Sequence, residues 1–193
     1  NQPGMISSVY FIGIGGIGMS ALARYFNLQG ASVSGYDRTP TALTNRLIEE
    51  GIPVHFTEDL QLIPSHPDLV VYTPAVPYDH AEMKYYRETG VPMKKRAEVL
   101  GEITASGKTI AVAGSHGKTT VSTLIAHILQ TANQPFMGFL GGISKNHGGN
   151  FLFFPPNLSL EESPSDPALN VVEADEYDRS FLSLTPSVAI ITA

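Results

Sequence analysis

The stretch from Thr109 to Thr120, TIAVAGSHGKTT, constrains the fold of this chain more than any other. It contains an apolar run, Ile110–Ala113, that predicts a short buried strand. A turn of small residues and a lysine, Lys118, then lead into an amphipathic run, VSTLIAHILQ, that predicts a helix. In this order, the backbone N–H groups, the helix N-terminus and the lysine can all face a bound phosphate. The stretch therefore predicts a phosphate-binding loop in an α/β domain, with an ordinary glycine turn before a helix as the alternative.

Two details of this loop point to its ligand. The Thr119 hydroxyl beside the lysine is of the type that ligates Mg²⁺ in phosphate loops. The usual loop has four residues between its glycines, whereas here only Ser115 and His116 lie between Gly114 and Gly117. The loop is thus a shortened form.

A second glycine-rich turn lies near the start of the chain. A buried-strand pattern, VYFIGI, runs into a match to GxGxxG between Gly13 and Gly18, and a helix pattern follows. The next strand pattern, Ser32–Tyr36, ends at Asp37, which lies 19 residues beyond Gly18 (37 minus 18). In dinucleotide folds an acidic residue near this spacing meets a ribose. We therefore predict a βαβ unit that holds a diphosphate, with a tight turn lacking a ligand as the alternative.

Strand and helix patterns alternate along the rest of the chain, which predicts parallel sheets covered by helices. The flexible stretch Ala105–Gly107 is the predicted boundary between a first domain, 1–105, and a second, 106–193. No helix pattern follows the last strand, so the second domain is expected to be incomplete. The further predicted strands are Pro53–Phe56, Asp68–Tyr72, Pro92–Lys94, Phe136–Leu140, Ala168–Glu173 and Val188–Thr192, and the further helices are Thr39–Glu50, Ala81–Thr89 and Ala97–Ile103.

Composition narrows the class of protein. The 193 residues contain no cysteine, so thiolate metal sites and thiol nucleophiles are excluded. A net charge of −6 argues against a nucleic-acid groove. The sequence shows neither a signal peptide nor an apolar run of the roughly 20 residues that span a bilayer. A cytoplasmic protein without membrane insertion is therefore expected.

Three stretches together resemble the ATP-dependent Mur ligase family: FIGIGGIGMSALA at 11–23, AGSHGKTT at 113–120 and EADEYDRSFL at 173–182. The family has the shortened loop, and RAEVL at 96–100 and Gly141–Gly142 also match it. The resemblance implies a Rossmann-like parallel-sheet domain that binds a UDP-linked substrate. Part of a P-loop α/β ATPase domain would follow it.

The resemblance also assigns residues to ligands. It implies that UDP, not NAD, occupies the first glycine loop. His55 could instead be a surface histidine, and His116 could touch the γ-phosphate or merely pack in its loop. The acidic residues Asp175, Glu176 and Asp178 are expected to be solvated or structural. The residues implied for the UDP-substrate are Gly15, Gly16, Ile17, Gly18, Asp37, His55, Thr73 and Ala75; for ATP, Gly114, Ser115, His116, Gly117, Lys118, Thr119 and Thr120; and for Mg²⁺, Thr119 and Glu173.

The implied reaction joins L-alanine to UDP-N-acetylmuramate through an acyl phosphate, in peptidoglycan precursor synthesis. Lys118 and His116 would be the catalytic residues, with two Mg²⁺ ions offsetting the charge of the triphosphate and the carboxylate. A ligase of the same family that joins a tripeptide to UDP-N-acetylmuramate in muropeptide recycling is the nearest alternative. An NAD-dependent oxidoreductase and a non-catalytic nucleotide-binding module are more distant ones.

Overall fold

A computed structural model describes residues 6–144, 148–155, 169–174 and 182–193. The chain divides into two compact units, residues 1–99 and residues 100–193. This division falls inside a helix just before Ala105–Gly107, and the boundary at residue 105 stays a prediction. Within the described ranges, no helix has the length and apolar character of a membrane span.

The first unit is built on five parallel strands in the order β3-β2-β1-β4-β5. After β1 the chain forms β2 and β3 on one side of that strand. It then returns to form β4 and β5 on the other side, so the direction of strand addition reverses between β1 and β4. At such a switch point, the carboxyl ends of the strands form a crevice for ligands. The elements are β1 Ser8–Ile12, α1 Ile17–Leu28, β2 Ser32–Tyr36, α2 Ala42–Glu49, β3 Val54–His55, β4 Leu69–Tyr72, α3 Ala81–Thr89, β5 Met93–Lys95 and α4 Arg96–Ala105, which continues into the second unit.

The core of this unit lies on both faces of the sheet. The central strand β1 buries four consecutive residues, from Val9 to Ile12, as expected for a parallel strand with both faces covered. The helix α1 lays an apolar face, including Leu22 and Phe26, against the sheet. The rigid sheet therefore supports the loops that follow its strands.

The second unit has a five-stranded sheet in the order β10-β6-β9-β7-β8. Four strands are parallel, but β8 runs antiparallel to β7. The fully parallel arrangement predicted for this unit is therefore wrong at β8, which was not predicted. Antiparallel neighbours, unlike parallel ones, do not require a helical crossover between them. The elements are β6 Lys108–Gly114, α5 Lys118–Thr131, β7 Phe136–Phe139, β8 Phe151–Phe154, β9 Leu169–Glu173 and β10 Val188–Thr192.

Most predicted elements are confirmed with small shifts at their ends. The start of α2 differs from the prediction, because Thr41 rather than Thr39 caps the helix. The Thr41 hydroxyl accepts a hydrogen bond from the Thr44 N–H, and the Thr44 hydroxyl accepts one from the Thr41 N–H. This reciprocal pair satisfies two backbone donors, which fixes the start of the helix after Pro40.

Candidate functional site

The first glycine loop turns sharply at the carboxyl end of β1. The N–H groups of Gly13 and Ile14 both donate to the Tyr36 carbonyl, at 2.8 and 2.9 Å. Gly13 has a φ of +89°, and a Cβ there would lie 2.7 Å from the Thr73 methyl carbon. A side chain at this position would therefore be both strained and blocked. The turn directs the chain into the start of α1.

Gly16 is the N-cap residue of α1 and is exposed. Its backbone is extended, with φ −64° and ψ 145°, and a Cβ there would meet nothing closer than 3.6 Å. The helix has no side-chain cap and no acidic residue in its first turn. The N–H groups of Ile17 and Gly18 at this end suit an anion such as a diphosphate.

Asp37 holds the glycine loop to the end of β2. Its Oδ2 accepts a hydrogen bond of 2.7 Å from the Gly15 N–H, and its Oδ1 accepts one of 3.3 Å from the Thr39 N–H. A Cβ on Gly15 would lie 2.7 Å from that Oδ2. Asp37 thus positions the loop, a contact that the sequence did not indicate. Its predicted place near a uridine stays a prediction.

Arg96 adds a cation beside the same loop. This first residue of α4 runs past Gly18 so closely that a Cβ on Gly18 would lie 2.8 Å from Nη1 and 2.9 Å from Cδ. A guanidinium beside a helix N-terminus strengthens a site for a diphosphate. Arg96 was not predicted as a site residue, although its position just after a strand was a usable signal.

The loop that follows β4 reaches the same edge. The Thr73 hydroxyl accepts a hydrogen bond of 3.4 Å from the Ala75 N–H, and the Thr73 carbonyl accepts one of 3.1 Å from Val76. Because the Thr73 methyl also lies against Gly13, the structure brings Thr73 to the glycine loop. The uridine contacts of Thr73 and Ala75 stay predictions.

His55 lies at the partly buried end of a hydrogen-bond chain that runs to Tyr10 and Glu82. Its Nδ1 lies 2.8 Å from the Thr57 carbonyl, and its Nε2 lies 2.7 Å from the Tyr10 hydroxyl. The same hydroxyl donates to Glu82 Oε2 at 2.7 Å. Both ring nitrogens are thus engaged within the protein, so His55 in this arrangement offers neither of them to a uridine. No sequence pattern indicated Tyr10 or Glu82 as its partners.

Burial shifts the pKa values of ionisable groups in and beside this hydrogen-bond chain. It raises the pKa of the Glu82 carboxyl to about 7, although the Tyr10 hydrogen bond acts in the opposite direction. It also raises the pKa of the Tyr10 phenol, with the nearby Glu82 carboxylate adding to the shift. Beside the chain, burial lowers the pKa of His80, whose ring centroid lies 4.7 Å from that of Tyr36. Charge is therefore costly throughout this part of the first unit.

We expect Glu82→Gln to remove a pH dependence of the stability of the first unit. Between pH 4.5 and about 7, the native carboxyl keeps a proton that the unfolded chain releases. The free energy of unfolding therefore falls as the pH rises through this window, by at most about 3 kcal/mol. Hydrogen exchange of the β4 amides, corrected for intrinsic rates, measures this change. The exposed-residue control Glu49→Gln should keep the wild-type pH dependence, and a Glu82→Gln protein that also keeps it would contradict the prediction.

The second glycine loop joins β6 to α5. Gly114 and Gly117 have φ values of +124° and +81°, in the region that favours glycine. Gly117 is the N-cap of α5, a helix of 14 residues without a side-chain cap. The loop and the first turn of the helix thus form a backbone cradle suited to a phosphate. Three of the residues predicted to bind ATP have exposed side chains in this loop and first turn: Ser115, His116 and Thr120.

Lys118 lies over this cradle, and its Nζ donates a hydrogen bond of 2.5 Å to the Gly114 carbonyl. The next residue, Thr119, donates from its hydroxyl to Glu173 Oε2 at 3.0 Å. Glu173 is buried at the end of β9, and a Cβ on Gly141 would lie 2.6 Å from the same oxygen. The structure therefore brings together the two residues predicted to ligate Mg²⁺.

The donor set fits that metal, because hydroxyl and carboxylate oxygens are the hard ligands that Mg²⁺ prefers. Among the residues that the structure describes, no cluster of three or more His, Asp or Glu side chains could hold a metal ion. A cation at Thr119 and Glu173 would thus depend on phosphate oxygens and water for its other ligands, as Mg²⁺ commonly does. Asp175, Glu176 and Asp178 lie outside the described residues.

Comparison with known proteins gives matches over both units. A model of the Mur ligase family catalytic domain matches residues 8–108, and a model of the Mur ligase middle domain matches residues 112–193. The UDP-N-acetylmuramate–L-alanine ligase of Porphyromonas gingivalis strain W83 is 54% identical over 190 residues, which are 96% of this chain and 40% of that protein. The chain thus spans about two fifths of the length of this curated relative.

Solved structures show the same similarity. The UDP-N-acetylmuramate-alanine ligase from Thermotoga maritima superposes with a TM-score of 0.82 at 33% identity, over 95% of this chain and 40% of that one. A UDP-N-acetylmuramate:L-alanyl-gamma-D-glutamyl-meso-diaminopimelate ligase from Neisseria meningitides superposes with a TM-score of 0.83 at 26% identity, over 97% of this chain and 61% of that one.

Proposed function

The chain belongs to the Mur ligase family, and on that premise we propose that it supplies the substrate-binding and ATP-binding parts of an enzyme that joins L-alanine to UDP-N-acetylmuramate. The observation that carries the proposal is the 54% identity to a curated ligase of that name over 96% of this chain. The two glycine loops support it, because each presents a helix N-terminus to a phosphate group.

In the first unit, the diphosphate of the UDP-substrate lies over the N-terminus of α1. The N–H groups of Ile17 and Gly18 at the start of α1 face it, and Asp37 holds the loop in place through Gly15. Arg96, beside Gly18, offsets its negative charge. The exposed start of α1 suits the diphosphate of either a UDP-substrate or NAD, so the choice of UDP rests on the similarity to the ligases.

In the second unit, the ATP phosphates lie in the cradle between Gly114 and Thr120. Lys118 leaves the Gly114 carbonyl and turns its charge to the phosphates, and the exposed His116 of the same loop contacts the terminal one. Thr119 and Glu173 would hold Mg²⁺, which neutralises phosphate charge when it is bound.

The reaction proceeds in two displacements. A carboxylate oxygen of the muramate attacks the γ-phosphorus of ATP, and ADP leaves with the electrons of the broken P–O bond. The amine of L-alanine then attacks the acyl carbon, phosphate leaves, and the amine gives up a proton as the amide forms. The residues of this chain act by positioning and by charge neutralisation, which are the main contributions of proteins to phosphoryl transfer.

Titration calorimetry of this chain tests the proposal. We expect binding of UDP-N-acetylmuramate and of ATP with Mg²⁺, and no binding of NADH at the same concentrations. Binding of NADH with none of the UDP-substrate would favour the oxidoreductase alternative and overturn the proposal.

We place the reaction in the cytoplasm, where ATP is supplied.

The second candidate is the ligase that adds a peptide to the same UDP-sugar, which is favoured by the TM-score of 0.83 to such a protein. The higher identity to alanine ligases argues against it. In the intact enzyme, phosphate release that depends on L-alanine supports the first proposal. Release that depends on the tripeptide L-alanyl-γ-D-glutamyl-meso-diaminopimelate instead supports the second.

A further inference from the structure

Thr192 lies at the end of β10, directly beside the second glycine loop. In the parallel pairing of β10 with β6, Thr192 is the partner of Gly114. A Cβ on Gly114 would collide with the Thr192 backbone carbonyl and hydroxyl. The two strands β6 and β10 therefore approach each other there as closely as only glycine allows. The end of β10 therefore forms one wall of the loop.

The Thr192 hydroxyl contacts two carbonyls of this region. Its Oγ1 lies 2.5 Å from the His116 oxygen and 3.1 Å from the Ala113 oxygen. A hydroxyl has one proton, so it is shared between them, with the His116 oxygen as the nearer acceptor. Because Ala113 lies in β6, next to its last residue, and His116 lies in the loop, the contact ties the loop to the sheet.

This contact fixes the orientation of one peptide group. The peptide between His116 and Gly117 is planar and trans, so its N–H points away from the direction of its C=O. When the His116 carbonyl points at Thr192, the Gly117 N–H points to the opposite side. The φ of +81° at Gly117 then carries the chain into the first turn of α5. An N–H held in this way is a preformed donor for a phosphate oxygen.

We propose that Thr192 is a positioning residue of the ATP site, whose hydroxyl holds the His116 carbonyl so that the Gly117 N–H faces the nucleotide phosphates. The inference rests on the proposed function, because it takes ATP as the ligand of this loop. Lys118 must move from the Gly114 carbonyl to a phosphate, whereas Thr192 keeps its contact when the nucleotide binds.

The test measures ATP binding, in the presence of Mg²⁺, to this chain and to three variants. Thr192→Val keeps the branched shape of the side chain but removes the hydroxyl, and we expect ATP affinity to fall about five- to tenfold, the equivalent of one hydrogen bond. Thr192→Ser restores the hydroxyl and should restore most of the affinity. Thr131→Val is the matched control, since its hydroxyl donates to the His127 carbonyl at the far end of α5, and it should bind ATP like the wild type.

The outcomes separate the inference from the function on which it rests. If the wild-type chain does not bind ATP, the proposed function of the loop is wrong. If the wild type binds ATP and Thr192→Val binds equally well, the positioning role is wrong. A loss in Thr192→Val that serine does not restore, or an equal loss in Thr131→Val, also overturns it, because a general loss of stability would then explain the effect.

Discussion

Replacing Lys118 with alanine in the intact enzyme is expected to lower turnover by about 10²- to 10³-fold, comparable to the loss of one preorganised electrostatic donor. Backbone N–H groups of the loop can hold the phosphates of bound ATP without help. The lysine charge matters more when a carboxylate approaches the γ-phosphate, because negative charge then accumulates in a small volume. Its Nζ already lies over the loop, 2.5 Å from the Gly114 carbonyl. The measurement is L-alanine-dependent phosphate release at saturating substrates.

Three controls make this result specific. Lys118→Arg should restore little activity, since a planar guanidinium is a poor replacement for a point charge in a short loop. Lys108→Ala removes an exposed lysine at the opposite end of β6 and should leave turnover unchanged. The affinity for UDP-N-acetylmuramate should be the same in all three variants, because its proposed ligands belong to the first unit. Near-normal turnover in Lys118→Ala would contradict the interpretation of this loop as the ATP site.

Replacing Gly16 with valine is expected to weaken UDP-N-acetylmuramate binding by about 10²-fold without unfolding the first unit. Gly16 is exposed and extended, and a Cβ there would meet nothing closer than 3.6 Å, so the fold accepts a side chain. The branched side chain would stand at the uncapped start of α1 and keep the diphosphate from its N–H groups. Charge-assisted hydrogen bonds contribute about 1.5–3 kcal/mol each, so losing one or two explains the expected effect.

The neighbouring glycine provides the contrast. A Cβ on Gly15 would lie 2.7 Å from both the Asp37 carboxylate and the Thr44 methyl carbon, so Gly15→Ala should lower the melting temperature of the first unit. Calorimetric titration of the Gly16→Val chain with UDP-N-acetylmuramate, and separately with ATP, completes the experiment. ATP binding should be unchanged, and unchanged affinity for the UDP-substrate would show that the diphosphate does not lie on this turn.

The order and kind of most elements could be predicted from the sequence. Short apolar runs followed by glycine and an amphipathic run predict a strand, a turn and a helix, because each signal is local. The strand β8 was missed, because a run of only four apolar residues, Phe151–Phe154, is too short to identify a strand by its pattern alone. Its antiparallel pairing with β7 at the edge of the sheet is a contact between separate stretches of the chain, which a local pattern does not indicate.

The candidate site likewise contains residues that were predicted from the sequence and residues that were not. Both glycine loops, Lys118 and the Thr119–Glu173 pair were predicted, since motif spacing and the resemblance to a family pointed to them, and the structure places Thr119 and Glu173 3.0 Å apart. The ligands of these residues stay predictions. Arg96 opens the RAEVL stretch that matches the family, but neither that match nor any local pattern indicated that Arg96 lies beside Gly18 or that Thr192 contacts the His116 carbonyl.

The sequence by itself determined where the chain turns and where helix N-termini are left open for anions, because glycine, lysine and hydroxyl residues act over a few neighbouring positions. Only the tertiary structure decided what holds those turns. Tyr10 meets Glu82 across 72 positions, and Thr192 meets the His116 carbonyl across 76. Such contacts follow from the order of strands in each sheet, which brings the carboxyl ends of distant strands to one edge. The physical reason is that strand order is set by the packing of the whole unit, whereas a motif records only its own stretch of chain.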